Sequence, residues 1–416
     1  MAVGVPHRVP DFVGGAWRVA RRVASDPRTI GVLQAGPRTA AFLARANARS
    51  ATADRDDSIV PVRPSPRLAA QVLLDEMMIA AFRHPRLLPR HGDYARAAAD
   101  LTATREVLVG AGVLENPAAY HGSPPAPDLV VRRRARVPGM RFEHVAFPSG
   151  WEPLPDEPGR QRWLSYTANR TAHAWLARAR PASDRWLVCV HGFSMGANPL
   201  VDLNAFRASA LLRQGVNVAV AVLPMHGRRA GGRAPGEGFM SIDLVDSMHG
   251  LAQAAWDVRR LVAWLRQYES ASKVGLHGQS LGGHVAALVA ALDDSLACVI
   301  AGIPVVDLPD LYRRHSPSWI ARQAERHGVL GPLADDVHRV VSPLALRCQV
   351  DSSGRFIYGG LGDRMATFGH ARRLWLHWER PRLAAYDGGH VGFYWSGAAR
   401  QVVDEAIERS GLSRAG

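Results

Sequence analysis

From about residue 130 onward the chain alternates short apolar stretches with helix-patterned ones, and that alternation limits its fold more than any other feature. Trp186 to Val190, Val216 to Leu223, Val274 to Leu276 and Leu296 to Ile303 are apolar runs without the polar–apolar alternation of a half-exposed strand. Strands of this kind need cover on both faces, as in a mainly parallel sheet packed between helices. The intervening stretches supply those helices. Met248, Leu251, Ala255, Val258, Val262 and Leu265 recur at helical spacing and share one face, and Val285, Leu288, Val289 and Leu292 do the same. Ala205 to Leu212 reads as a further helix.

The flanks extend the pattern. Phe142 to Phe147 and Ala172 to Leu176 read as early strands around a Pro-rich loop at 148–159, and a Gly- and Arg-rich loop spans 226–238. Two strand–helix units close the chain: Arg355 to Tyr358 with Met365 to Trp378, and Arg382 to Tyr386 with Ala398 to Ile407. Residues 304–350 interrupt the alternation with Pro, Tyr and Trp. In such sheets the functional loops lie beyond the carboxyl ends of the strands.

Residues 1–130 read as a separate helical, basic extension. Leu68, Val72, Leu73, Met77 and Ile79 suit an amphipathic helix, and the breakers Pro61 to Pro66 and Gly122 to Asp128 punctuate the region. Its expected role is to cover part of the following domain, 131–416; a membrane-surface or partner-binding helix is the alternative.

The formal charge of +14 invites a nucleic-acid reading. Lys273 is the sole lysine among 51 basic residues, and the arginines are dispersed apart from Arg132-Arg133-Arg134 in a loop-like region, so no nucleic-acid partner is expected. Weak attraction of the N-terminal region to an anionic membrane surface remains compatible with this charge. No apolar run approaches the roughly 18 residues of a membrane span, and Met1 to Arg22 lacks the continuous apolar core of a secretory signal. Cys189, Cys298 and Cys348 are far apart, with Cys189 and Cys298 inside apolar runs, which points to buried free thiols and a reducing, cytoplasmic setting. There is no H-E-x-x-H and no clean G-x-G-x-x-G, and Ser272 rather than Gly precedes the only lysine, which rules out a G-x-x-x-x-G-K-[ST] P-loop.

The chemistry concentrates in His277-Gly278-Gln279-Ser280-Leu281-Gly282-Gly283, where an apolar stretch gives way at once to a helical one. Glycines around such a turn tolerate backbone angles and close approaches that a Cβ would penalise. A second G-x-S-x-G, Gly192-Phe193-Ser194-Met195-Gly196, is followed by Ala197-Asn198-Pro199 with no immediate helix. Context therefore selects Ser280 over Ser194 as the nucleophile. The Ser280 turn resembles the nucleophile elbow of the alpha/beta-hydrolase superfamily, and His191-Gly192 resembles that family's oxyanion loop. Asp363, in Gly360-Leu361-Gly362-Asp363, and His390, in Asp387-Gly388-Gly389-His390, follow late strands in the order the resemblance requires.

The resemblance covers roughly residues 140–412. It implies an alpha/beta-hydrolase fold with a helical cap at 304–350, no cofactor and no metal. It also implies a triad in which His390 accepts the Ser280 proton and Asp363 orients the imidazole, with the backbone N–H groups of Phe193 and Leu281 as the oxyanion hole. Asp307 is the alternative acid, and Asp363 could instead only cap a helix near Met365. His191, Ser194 and His226 are candidate substrate-binding residues, His191 having a competing structural reading and His226 a competing loop-packing one. Tyr312, Trp319, Phe393, Tyr394 and Trp395 could shape an acyl pocket or simply pack. The expected function is hydrolysis of a carboxylic ester or related small-molecule acyl substrate. Acyl transfer or peptide hydrolysis would use the same residues, and a non-catalytic binding or scaffold protein, or a membrane-associated lipase-like enzyme, are the other readings.

Overall fold

The computed structural model describes residues 26–52, 61–83, 89–137, 140–239 and 241–413. The expectation for Met1 to Arg22 lies outside them. In chain order come three N-terminal helices, α1 (Pro27–Thr52), α2 (Pro66–Phe82) and α3 (His91–Gly110), then β1 (Val131–Val137) and β2 (Met140–Pro148). Next are α4 (Arg160–Ser165), β3 (Thr171–Ala177), β4 (Arg185–Val190), α5 (Pro199–Ala205), α6 (Ala208–Arg213) and β5 (Asn217–Val222). The long α7 (Leu244–Tyr268) precedes β6 (Lys273–Gln279), α8 (Leu281–Ala290) and β7 (Cys298–Gly302). Helices α9 (Leu308–His315), α10 (Ser318–Arg326) and α11 (Pro332–His338) occupy the break in the alternation. The chain closes with β8 (Arg355–Gly360), α12 (Phe368–His377), β9 (Arg382–Tyr386) and α13 (Gly397–Arg409).

The nine strands form one sheet in the order β1-β2-β3-β5-β4-β6-β7-β8-β9. β1, β2, β3 and β5 pair antiparallel in succession, and from β5 to β9 every pairing is parallel. The apolar strands serve both faces by simple alternation. Trp186, Val188 and Val190 of β4 join the core under α7 and α8, while Leu187 and Cys189 join the opposite core with Val402, Ala406 and Ile407 of α13. This is the alpha/beta-hydrolase fold: the strand-order reversal at β5-β4 puts the ends of β4 and β6 side by side, with Val190 in register with Gly278. All three cysteines are buried and free.

Three local readings need correction. The Arg132-Arg133-Arg134 run is not a loop but part of the edge strand β1, where the charged side chains stay exposed while the backbone pairs with β2. Arg132 meets Glu143 at 2.9 Å and Glu269 at 3.0 Å, and a charged edge discourages further strand addition. The single helix read over Ala205 to Leu212 is two, because Arg207 adopts φ 55° and breaks the hydrogen-bond ladder. In α2, Leu68, Val72 and Ile79 are buried, but Leu73 and Met77 are exposed. The inward face of that helix instead carries Gln71, Asp75 and Glu76.

Among the described residues no helix is long and apolar enough to cross a membrane.

Candidate active site

Ser280 sits between the last residue of β6 and the first of α8, with φ 57° and ψ −115°, a region that side-chain-bearing residues rarely occupy. The flanking glycines make the turn physically admissible. A Cβ on Gly278 would collide with the carbonyl oxygen of Gly282, and one on Gly282 with the carbonyl oxygen of Val190. The serine amide donates to the Gly302 carbonyl at 2.9 Å and its own carbonyl accepts from Val305 at 3.1 Å, so the turn is tied to the exit of β7.

Asp363 and His390 follow β8 and β9, the next two strands. Leu361 donates to the Tyr386 carbonyl and Gly362 to the Gly388 carbonyl, each at 2.9 Å, which locks the two loops together. His390 Nε2 lies 3.0 Å from Ser280 Oγ, and its Nδ1 lies 2.7 Å from Asp363 Oδ2. The other oxygen of Asp363 accepts from the N–H groups of Met365 and Ala366 at 2.8 and 2.9 Å. Asp363 thus faces the imidazole with one oxygen and caps the Met365 turn with the other. Asp307 is elsewhere: it caps α9 by accepting from Asp310 N–H at 2.8 Å and pairs with Arg373 at 3.0 Å.

Burial opposes charge on the His390 imidazole, but the charge and hydrogen bond of Asp363, joined by the charge of Asp75, carry its pKa above 6.5. A hydrogen-bonded serine, imidazole and carboxylate in this order can pass a proton from the hydroxyl to the imidazole and hold the resulting cation. Leu281 opens α8, so its N–H has no carbonyl one turn back in the helix. Gly192 approaches so closely that a Cβ there would stand 3.4 Å from Ser280 Cβ, which brings the Phe193 segment alongside the hydroxyl.

An apolar cavity of about 180 Å³ opens at Ser280, walled chiefly by Ile79, Phe193, Leu281, Val305, Leu311 and Met365. Tyr312 joins this wall. Trp319, Phe393, Tyr394 and Trp395 do not. Neither do His191, Ser194 and His226, the candidate substrate-binding residues. His191 is buried, with Nε2 accepting from Leu223 N–H at 3.1 Å and Nδ1 beside the Gly192 carbonyl at 2.8 Å. His226 is buried behind Phe193, its ring 5.8 Å away edge-on, and burial holds its pKa down to about 3. Ser194 is exposed at φ 67°. Both nitrogens of His191 are committed to backbone groups, and His226 Nδ1 lies 2.8 Å from the Pro224 carbonyl, so the two rings pack behind the Phe193 loop.

The structure adds residues that no local pattern announced. Asp75 of α2 is fully buried, and its Oδ2 accepts from the N–H groups of His390 at 2.8 Å and Arg364 at 3.0 Å. Its other oxygen has no hydrogen-bond partner. Burial first, and then the charge of Asp363, push its pKa up to about 7 against the pull of His390 and the two N–H groups. Gln71 Oε1 accepts from Gly389 N–H at 3.0 Å, and Tyr386 OH donates to the Gly389 carbonyl at 3.0 Å. At the end of α2, Phe82 packs edge-on against Phe193 at 5.1 Å. One N-terminal helix thus touches the His390 loop, the Asp363 loop and the Phe193 loop. The only available sequence signal was polar residues on an otherwise apolar helix face. Among the described residues no group of three or more His, Cys, Asp or Glu could hold a metal ion.

No family model matches the chain. It is 42% identical over 361 residues to two Mycobacterium tuberculosis proteins, uncharacterized protein MT2702 of strain CDC 1551 / Oshkosh and uncharacterized protein Rv2627c of strain ATCC 25618 / H37Rv, covering 86% of this chain and 86% of each relative. Among solved structures it is similar to acetyl xylan esterase 1 from Thermoanaerobacterium sp. JW/SL YS485, at 15% identity over 72% of this chain and 98% of that one, with a TM-score of 0.46. It is likewise similar to the alpha/beta hydrolase GrgF from Penicillium sp. sh18, at 16% identity over 58% of this chain and 94% of that one, with a TM-score of 0.41.

Proposed function

This chain belongs to the alpha/beta-hydrolase superfamily, in one family with the two mycobacterial proteins, and from that premise we propose that it is a serine hydrolase acting on a carboxylic ester or related acyl compound. The observation that carries the reading is His390, held 3.0 Å from Ser280 Oγ and 2.7 Å from Asp363 Oδ2 at the end of an apolar cavity.

In this mechanism His390 Nε2 takes the Ser280 proton as Oγ bonds to the substrate carbonyl carbon. The N–H groups of Leu281 and Phe193 receive the oxyanion; such a donor is worth roughly 2.7–4 kcal/mol of barrier. Collapse breaks the bond from carbon to the leaving oxygen, which departs with the proton from His390, and an acyl ester remains on Ser280. Water then gives a proton to His390, adds to the acyl carbon, and releases the acid as Ser280 recovers its proton. Asp363 stays ionised and holds the imidazolium in line. Helices α9 and α10, with Ile79 and Phe82 of α2, serve as the cover that keeps bulk water from the acyl group.

The test is covalent labelling by a fluorophosphonate probe in wild type, Ser280→Ala and Ser194→Ala. Labelling lost in Ser280→Ala alone is the expected result. Loss in Ser194→Ala alone would move the nucleophile, and folded wild type that stays unlabelled would favour a binding protein on this fold.

A further inference from the structure

We propose, resting on the hydrolase reading above, that the substrate is an amphiphile: its apolar part fills the cavity at Ser280 and a phosphate group at its far end sits in an arginine-lined recess between the N-terminal helices and α9–α10. That recess measures about 800 Å³ and shares Ile79, Arg83, His315, Ser316 and Pro317 with the apolar cavity, so the two are continuous. A molecule reacting at Ser280 and longer than the cavity can extend into the recess.

The recess is built for an anion. Its wall carries Arg38 and Arg364, which share the single buried carboxylate Glu76 at 3.5 and 2.9 Å. Arg313 and Arg314 of α9 face it too, each with one looser acidic neighbour, Asp335 at 3.4 Å and Asp310 at 3.7 Å. Arg45, Arg83 and Arg322 complete the set, and none of these three has a carboxylate within ion-pair distance among the described residues. Glu325 is the only other acid on the wall. Arg83 marks the threshold: it lines both spaces, its Nε donates to the His315 carbonyl at 3.2 Å, and burial and the charge of Arg38 both act against its own charge. Like charges crowded without enough acids are stabilised by a multiply charged anion, and guanidinium groups match phosphate oxygens in pairs.

The probe is octyl phosphate against octanol, titrated calorimetrically into folded Ser280→Ala, where turnover cannot intervene. The expected result is that octyl phosphate binds about tenfold or more tightly at low salt, with that advantage shrinking at high salt because the recess is open to water. The advantage should fall by at least about fivefold in the added double substitution Arg45→Gln/Arg322→Gln, both residues being exposed. Equal binding of the two probes, or an advantage indifferent to the double substitution, would overturn the proposal. Fluorophosphonate labelling of wild type runs beside it. Labelling without a phosphate preference rejects the recess and leaves the hydrolase, whereas a phosphate preference without labelling rejects the hydrolase and leaves the recess. Turnover of an acyl glycerol phosphate in solution, compared with the same headgroup on long chains in vesicles, separates a soluble phosphate ester from a lipid.

Discussion

Asp75 Oδ2 accepts the backbone N–H of His390 at 2.8 Å, although 315 residues separate them. A carboxylate from the N-terminal extension thus lies behind the imidazole that Asp363 orients from the other side. It fixes where the His390 loop sits and adds negative charge near the ring.

That charge has a pH signature. In the proposed mechanism neutral His390 is the base, and its pKa is raised, so the acidic limb of kcat/KM in wild type should lie above pH 6.5. Asp75→Asn keeps an acceptor for the two N–H groups but removes the charge. The limb should move to lower pH in this variant, measured with a neutral ester. An unmoved limb would mean that Asp75 only braces the loop.

Asp75 also makes a stability prediction. Its folded pKa of about 7 exceeds the ordinary 3.8, so between those values the folded state holds a proton that the unfolded chain has lost. This group's contribution is therefore fully present below about pH 3.8 and declines as pH rises toward 7. Urea denaturation at pH 5 and pH 8 should show a smaller drop in Asp75→Asn than in wild type. An identical drop in both would contradict the assignment.

The two candidate acids are separable by kinetics. Asp363→Asn retains the caps on Met365 and Ala366 but presents the wrong partner to His390, and should lower kcat by roughly 10³- to 10⁴-fold. Asp307→Asn should leave kcat within about twofold and, with its cap and the Arg373 pair weakened, cost about 1 kcal/mol of stability at most. The reverse pattern would restore Asp307.

Strain at the elbow is measurable by melting. Ser280→Gly relieves the φ 57°, ψ −115° backbone, whereas Ser280→Ala retains it. Strain of about 1–3 kcal/mol, less about 0.4–1 kcal/mol for the freer unfolded glycine, leaves Ser280→Gly more stable than Ser280→Ala by about 1 kcal/mol. Gly278→Ala should go the other way and fail to fold, since the colliding partner is backbone.

Helix α2 can be tested by contrast. Leu68 is fully buried, and a Cβ on Gly362 would stand 2.5 Å from its Cδ1, so the leucine packs directly against Gly362, the residue before Asp363. Leu68→Ala should cost about 2–5 kcal/mol and lower activity with it. Leu73→Ala, 40% exposed, should stay within about 0.5 kcal/mol of wild type. Chemical denaturation and ester turnover on the same samples decide between them.

The sequence by itself determined the layered α/β architecture and the neighbourhood of Ser280, because both rest on short-range signals: apolar runs, helical periodicity, and glycines where a turn admits no Cβ. The order of Asp363 and His390 was readable for the same reason, each lying in a short loop just past a strand. Only the tertiary structure decided that Asp363 serves the imidazole and a cap together, that Asp307 is occupied elsewhere, and that His191 and His226 stand behind the cavity. It alone brought Gln71, Asp75 and Phe82 to the site. Their work depends on docking one helix against loops roughly 110 to 320 residues further along the chain, and such packing leaves no local periodicity to read. Leu73 and Met77 make the same point in reverse: helical spacing says which residues share a face, but the neighbouring elements decide which face is buried.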